Sequence, residues 1–128
     1  VFALVELTQI LLPLLRESPA GRIVNLSSIL GSISLNSDFD AQIGEWRSFG
    51  YNGSKAALNM FTATLAFELR DTNIKVNSAH PGWVKTDLGG EGAPLEVAEG
   101  ASTSVRLATL PADGPTGGYF HNDEKLPW

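Results

Sequence analysis

Tyr51-Asn52-Gly53-Ser54-Lys55 sets a phenol and an ammonium four residues apart. On a helix that spacing puts both groups on one face, with their Cβ atoms about 5–6 Å apart. A neighbouring cation favours phenolate. A free tyrosine ionises near pH ~10, so acid/base work at neutral pH asks for roughly 4 kcal/mol of such help. The pair alone arises by chance often enough to identify nothing. Its context is more specific, because a run ending in Ser27-Ser28 precedes it and a run ending in Pro81-Gly82-Trp83-Val84-Lys85-Thr86 follows it.

The elements that must position these groups are read from pattern. In residues 1–18, Leu4, Leu7, Leu11, Leu14 and Leu15 recur at spacings of three and four, with Phe2, Val5, Ile10 and Leu12 spreading the apolar surface around the rest. That predicts a helix buried on more than one side. Pro19-Ala20-Gly21 ends it, and Arg22 to Ser28 reads as a buried parallel strand with the two serines at its C-terminal end. Residues 29–50 show no period and are expected as a surface loop. A second helix is predicted from Ser48 or Tyr51 to Arg70, then a strand over Ile74 to Ala79 ended by His80-Pro81-Gly82. A Gly-rich loop from Lys85 to Ala93 leads to a third helix, with Pro94 at its first position, Glu96 in its first turn and its end near Leu110-Pro111. Gly117 to Phe120 is the last expected strand, followed by a polar tail.

Alternation of helix and strand implies an α/β fold, a doubly wound parallel sheet with helices on both faces. Ligands in such sheets sit beyond the C-terminal strand ends, where Ser27-Ser28 and His80-Pro81-Gly82 lie.

Composition removes several alternatives. The 128 residues carry nine basic and fourteen acidic side chains, a net charge of −5, with 43% hydrophobic residues. This is a mildly acidic globular chain and not a nucleic-acid binder. There is no cysteine, which excludes disulfides, thiolate metal sites and cysteine nucleophiles and makes a cytoplasmic setting the default. Residues 1–15 are not expected as a signal peptide, since they lack a basic leader and a small-residue cleavage site, nor as a membrane span, since Glu6, Gln9 and Pro13 interrupt them. His80 and His121 have no carboxylate at ligand spacing, so no metal is expected.

Gly21-Arg22-Ile23-Val24-Asn25-Leu26-Ser27-Ser28, Tyr51-Asn52-Gly53-Ser54-Lys55 and Asn77-Ser78-Ala79-His80-Pro81-Gly82-Trp83-Val84-Lys85-Thr86 together resemble the C-terminal half of a short-chain dehydrogenase/reductase, a Rossmann-like fold. The resemblance covers nearly the whole chain. It is nearest to carbonyl-reductase-type members, from the long stretch between serine and tyrosine and the ending Leu110 to Phe120.

The resemblance implies an NAD(P)(H)-dependent oxidoreductase acting on a small carbonyl or alcohol, with NADP(H) favoured and NAD(H) possible. Tyr51 would be the general acid/base, Lys55 would favour its phenolate and hold the nicotinamide ribose, and Ser28 would bond the substrate oxygen. Ser27 and Ser28 face opposite ways and cannot both do so. Pro81, Gly82, Val84 and Thr86 would hold the nicotinamide. Asp87-Leu88 and the following glycines would begin a mobile substrate loop.

The family's Gly-rich phosphate-binding turn and its catalytic asparagine have no counterpart in this sequence, which contains no G-x-G-x-x-G and opens on Val1 within an apolar run. Residues 1–128 are therefore expected to be a single partial domain, the catalytic half without the N-terminal cofactor-binding half. Such a piece is expected to be inactive alone and, with its open sheet edge, prone to aggregate.

Apolar cover around the helices at 1–18 and 51–70 suggests a homo-oligomer. Trp46 and Trp83 are open as pocket wall or plain packing. Two other functions stand beside the oxidoreductase. One is an α/β serine hydrolase using Ser27 or Ser28 with Asp87 and His121, although the G-x-S-x-G elbow is missing. The other is a non-catalytic association module of the same fold, which has no need of Ser28, Tyr51, Lys55 and Thr86 together.

Overall fold

The computed structural model describes residues 1–43 and 48–128; Trp46 lies outside the described residues. Three strands form a parallel core: β1 (Arg22–Leu26), β2 (Lys75–Ala79) and β3 (Gly118–His121). A two-residue strand β4 (Glu124–Lys125) returns antiparallel on β3, giving the order β1-β2-β3-β4. Ile23 pairs with Val76, Asn25 with Ser78, and Ala79 with Phe120. β4 falls in the stretch expected as an irregular polar tail. Asn122, at a positive φ of 50°, makes the turn into it.

Helices cover both faces, as the alternation predicts. On one face α1 (Phe2–Glu17) and α3 (Phe49–Glu68) bring Leu12, Leu15, Phe61, Leu65, Ala66 and Leu69 onto Ile23, Ile74 and Val76. On the other, α4 (Val97–Ala108) packs Leu107 against Val24, Ala79 and Phe120. Removing this apolar surface from water is the main force holding helix to sheet. A buried polar node adds register: the Asn25 amide and the Ser78 hydroxyl both donate to Thr62 Oγ1, at 2.8 and 2.9 Å. One residue of α3 is thereby tied to two adjacent strands.

Three expectations are corrected. α1 is not buried on several sides. Only its inner face reaches the sheet, and Phe2, Leu7, Ile10 and Leu14 are exposed, with no cover from the other described residues. Residues 29–50 are not wholly loop. A single 3-10 turn over Ile29–Gly31 and a short helix α2 (Ile33–Ser37) follow β1 directly, nucleated by the Ser28 and Ser32 side chains, which accept from Leu30 N and Leu35 N. Pro94 does not open the last helix. A parallel bridge between Val84 and Leu95 holds that stretch extended, so helical winding starts only after Glu96. There Glu96 and Glu99 close a capping box.

No helix among the described residues is long and apolar enough to cross a membrane.

Candidate active site

β1 ends at Leu26, and the two serines lie just past it. The Ser27 amide extends the ladder by donating to the Ala79 carbonyl at 2.8 Å, while its hydroxyl is buried with no partner among the described residues. Ser28 turns away from the sheet and caps the 3-10 turn. Its Oγ accepts from Leu30 N at 3.3 Å, which leaves the hydroxyl hydrogen able to donate.

Helix α3 starts at Phe49, capped by Ser48, so both Tyr51 and Lys55 are helical and share one face. The Lys55 Nζ lies 5.7 Å from the centre of the Tyr51 ring and donates to the Leu26 carbonyl at 2.8 Å. That bond reaches the end of the strand that leads into Ser28. It uses one of three ammonium hydrogens and leaves two for another acceptor. Burial lowers the Lys55 ammonium below the usual lysine range.

The serine turn and the helix meet at van der Waals limits. A Cβ on Gly31 would stand 2.6 Å from Lys55 Cβ and 2.7 Å from its carbonyl carbon, so only glycine fits there. The Asn59 amide donates to the Gly31 carbonyl at 3.4 Å, and the Asn52 amide donates to Asn36 Oδ1 at 3.1 Å, which binds α2 to the same end of α3. Gly31 was not readable as a site residue. Its importance comes from an approach of two segments distant in sequence.

Tyr119 was missed for the same reason. It sits fully buried on β3, and burial first, then the neighbouring Tyr51, push its phenol above the usual tyrosine range. Its ring stacks on Trp128 at 5.6 Å between centres, and the Trp128 carbonyl accepts from Ser34 N at 2.8 Å. The chain's last residue is thus anchored between β3 and α2.

After β2 the chain passes through Pro81 and Gly82, which has φ 83°, and a Cβ there would meet Leu95 Cδ1 at 2.4 Å. The bridge to Leu95 runs through the Lys85 amide and the Trp83 carbonyl. Val84 therefore directs its own amide and carbonyl to the opposite side, as parallel pairing requires. The Thr86 hydroxyl contacts the Val84 carbonyl at 3.4 Å and accepts from Gly89 N at 3.1 Å. A carboxamide needs one acceptor and one donor, and an outward Val84 amide beside an exposed Thr86 hydroxyl offers that chemistry. Lys55, with two ammonium hydrogens left, suits ribose hydroxyls. The residues present therefore fit the nicotinamide end of a dinucleotide.

Thr86 makes no hydrogen bond to Ser28, Tyr51 or Lys55; its bonds stay within its own loop. It lines an open depression of about 520 Å³ with Lys85, Asp87, Gly90 and Glu91, which includes none of those three and marks the outer surface of the loop. Trp83 is exposed and donates through Nε1 to the Gly89 carbonyl at 2.8 Å, which ties it to the loop.

The hydrolase geometry is not assembled. His121 Nδ1 bonds the His80 carbonyl at 3.0 Å and its Nε2 faces the Asn122 amide at 3.5 Å, so neither nitrogen serves a serine or Asp87. Among the described residues no group of three or more His, Asp or Glu side chains could hold a metal ion.

The chain matches the family model for short chain dehydrogenases over residues 1–94. It is 34% identical to (-)-isopiperitenone reductase of Mentha piperita, covering 94% of this chain and 48% of that protein. Its fold is similar to the carbonyl reductase Sniffer of D. melanogaster, with TM-score 0.77 and 36% identity over 95% of this chain and 51% of that one. It is also similar to an NADPH-bound carbonyl reductase from chicken fatty liver, with TM-score 0.77 and 30% identity over the same shares. The chain spans about half the length of the curated relatives it matches. With its Rossmann-like α/β architecture and these matches, the chain belongs to the short-chain dehydrogenase/reductase family, as a carbonyl-reductase-like member.

Proposed function

We propose that this chain is the catalytic portion of an NAD(P)(H)-dependent oxidoreductase that interconverts a small carbonyl compound and its alcohol. The observation that carries the reading is the Lys55 ammonium, held on the Leu26 carbonyl and facing the Tyr51 ring at 5.7 Å, beside the strand end that bears Ser28. When bound, a reduced nicotinamide supplies the hydride. Tyr51 donates its phenolic proton to the carbonyl oxygen as negative charge develops there, and takes it back in the reverse direction. The Ser28 hydroxyl donates to the same oxygen and fixes its position. Lys55 stabilises the phenolate left on Tyr51 and uses its remaining hydrogens on the ribose hydroxyls. Pro81 and Gly82 set the course of the loop, and Val84 and Thr86 meet the carboxamide. NADP(H) is the favoured cofactor, supported by the NADPH-bound carbonyl reductase among the similar structures.

The binding of adenine and pyrophosphate is assigned to sequence outside these 128 residues, so residues 1–128 act as one partial domain of a longer chain. The test follows NADPH and NADH absorbance in turn with the full-length protein and a panel of aldehydes, ketones and quinones. Oxidation of a cofactor that depends on substrate supports the reading. Failure of both cofactors to bind or turn over contradicts it and leaves an association module of the same fold.

A further inference from the structure

His80 closes β2 at the point where the chain turns into Pro81-Gly82. Its amide donates to the Phe120 carbonyl at 2.8 Å, and its own carbonyl bonds His121 Nδ1 at 3.0 Å, so its backbone is fixed on both sides. Its side chain reaches in two directions at once. Nδ1 lies 3.2 Å from Ile29 N, the first residue after Ser28, and 3.4 Å from Gly82 N, within the loop that runs to Thr86.

We infer that His80 is a positioning residue, whose Nδ1 accepts from both amides and pins the turn carrying Ser28 to the loop carrying Val84 and Thr86. This rests on the oxidoreductase reading, in which those two segments hold the substrate oxygen and the nicotinamide.

Backbone amides can only donate, so Nδ1 carries no proton and the ring is the Nε2–H tautomer. A protonated ring would turn both contacts repulsive. The surroundings favour the neutral ring: it is half-buried, and the titratable group bearing on it is His121, with ring centres 5.0 Å apart. The pin acts over a short path. Gly82 lies close to both Leu95 and His121: a Cβ placed there would clash with Leu95 Cδ1 and stand 3.2 Å from His121 Cε1.

The first test uses nitrogen-15 NMR on the unmodified full-length protein at pH 7. His80 is expected as the neutral Nε2–H tautomer, with the Ile29 and Gly82 amides protected from exchange. An Nδ1–H tautomer overturns the inference whatever any variant does. The second compares His80→Phe, which keeps a ring but removes the acceptor, with His80→Asn, whose Oδ1 can take the place of Nδ1. NADPH binding is read by energy transfer from tryptophan, and KM and kcat for NADPH by absorbance. His80→Phe should weaken NADPH binding about tenfold and raise KM with a smaller change in kcat, and His80→Asn should return to within about threefold of the parent. Unchanged affinity in His80→Phe would overturn the positioning role. A parent protein that binds neither NADPH nor NADH would instead overturn the oxidoreductase reading, and the tautomer would still test the pin.

Discussion

Lys55 Nζ donates to the Leu26 carbonyl across 2.8 Å, joining the first half of α3 to the end of β1. Leu26 is the last residue of the strand, and Ser28 follows two residues later, so one bond sets the distance between the serine and the helix face that carries Tyr51. The same lysine forms the floor against which Gly31 packs. Lys55 is therefore both a charge beside Tyr51 and a brace between the two segments that carry Ser28 and Tyr51.

Gly31→Ala tests the brace. The added methyl would stand 2.6 Å from Lys55 Cβ. Relief requires the 3-10 turn and α3 to separate, at about 1–3 kcal/mol of stability. Denaturant unfolding should show that loss, and turnover should fall with it, because Ser28 moves with the turn. Parent-like stability and turnover would show that the approach is not tight.

His80 gives a pH dependence of stability. Burial, and then His121, push its imidazole down to about 4, against 6.5 for an ordinary histidine. Between those values the unfolded chain binds the proton that the folded chain refuses, so stability is full above pH ~6.5 and falls as pH drops toward ~4. With partial exposure allowed for, the gap is on the order of 2–3 kcal/mol. Urea midpoints across this range should fall in the parent, and His80→Asn should flatten the curve. A parent curve that is level from pH ~6.5 to ~4.5 contradicts the assignment.

Tyr119→Phe has the opposite sign to most core changes. The Tyr119 hydroxyl is buried with no hydrogen-bond partner among the described residues. Removing it deletes a desolvated group and leaves the stack on Trp128 intact, so stability should hold or rise by up to ~1 kcal/mol. Thermal unfolding checks this. A loss above about 1 kcal/mol would mean that the hydroxyl is satisfied in solution.

Thr86→Ala addresses the loop proposed to hold the nicotinamide. With the bond to the carboxamide lost together with the bond from Gly89 N, cofactor KM should rise roughly three- to tenfold while kcat stays within about twofold. Steady-state kinetics with NADPH varied decide it. An unchanged KM would show that Thr86 does not meet the carboxamide.

Much of the scaffold was legible because its signals are local. Ile23, Val24 and Val76 announce strands through β-branched side chains, and the i, i+4 spacing of Tyr51 and Lys55 holds once Ser48 caps α3 just ahead of them. What was not legible depends on contacts remote in sequence. The Ile29–Gly31 turn and α2 are too short to show a period and are made by serine caps. Pro94 carries a strong helix-start signal, but the Val84–Leu95 bridge overrides it. Exposure of Leu7, Ile10 and Leu14 on α1 could not be told from burial, because an apolar stripe records what a face avoids and not what covers it. The bonds of His80 to Ile29 and Gly82 needed three segments placed together.

The most direct test of the central claim is Tyr51→Phe in the full-length protein, with NADPH binding and carbonyl-dependent NADPH oxidation measured on one preparation. The account predicts a fall in turnover of about 10²-fold or more with cofactor affinity within about threefold of the parent, because the phenol oxygen moves the proton and the ring remains. Turnover at the parent rate would contradict it.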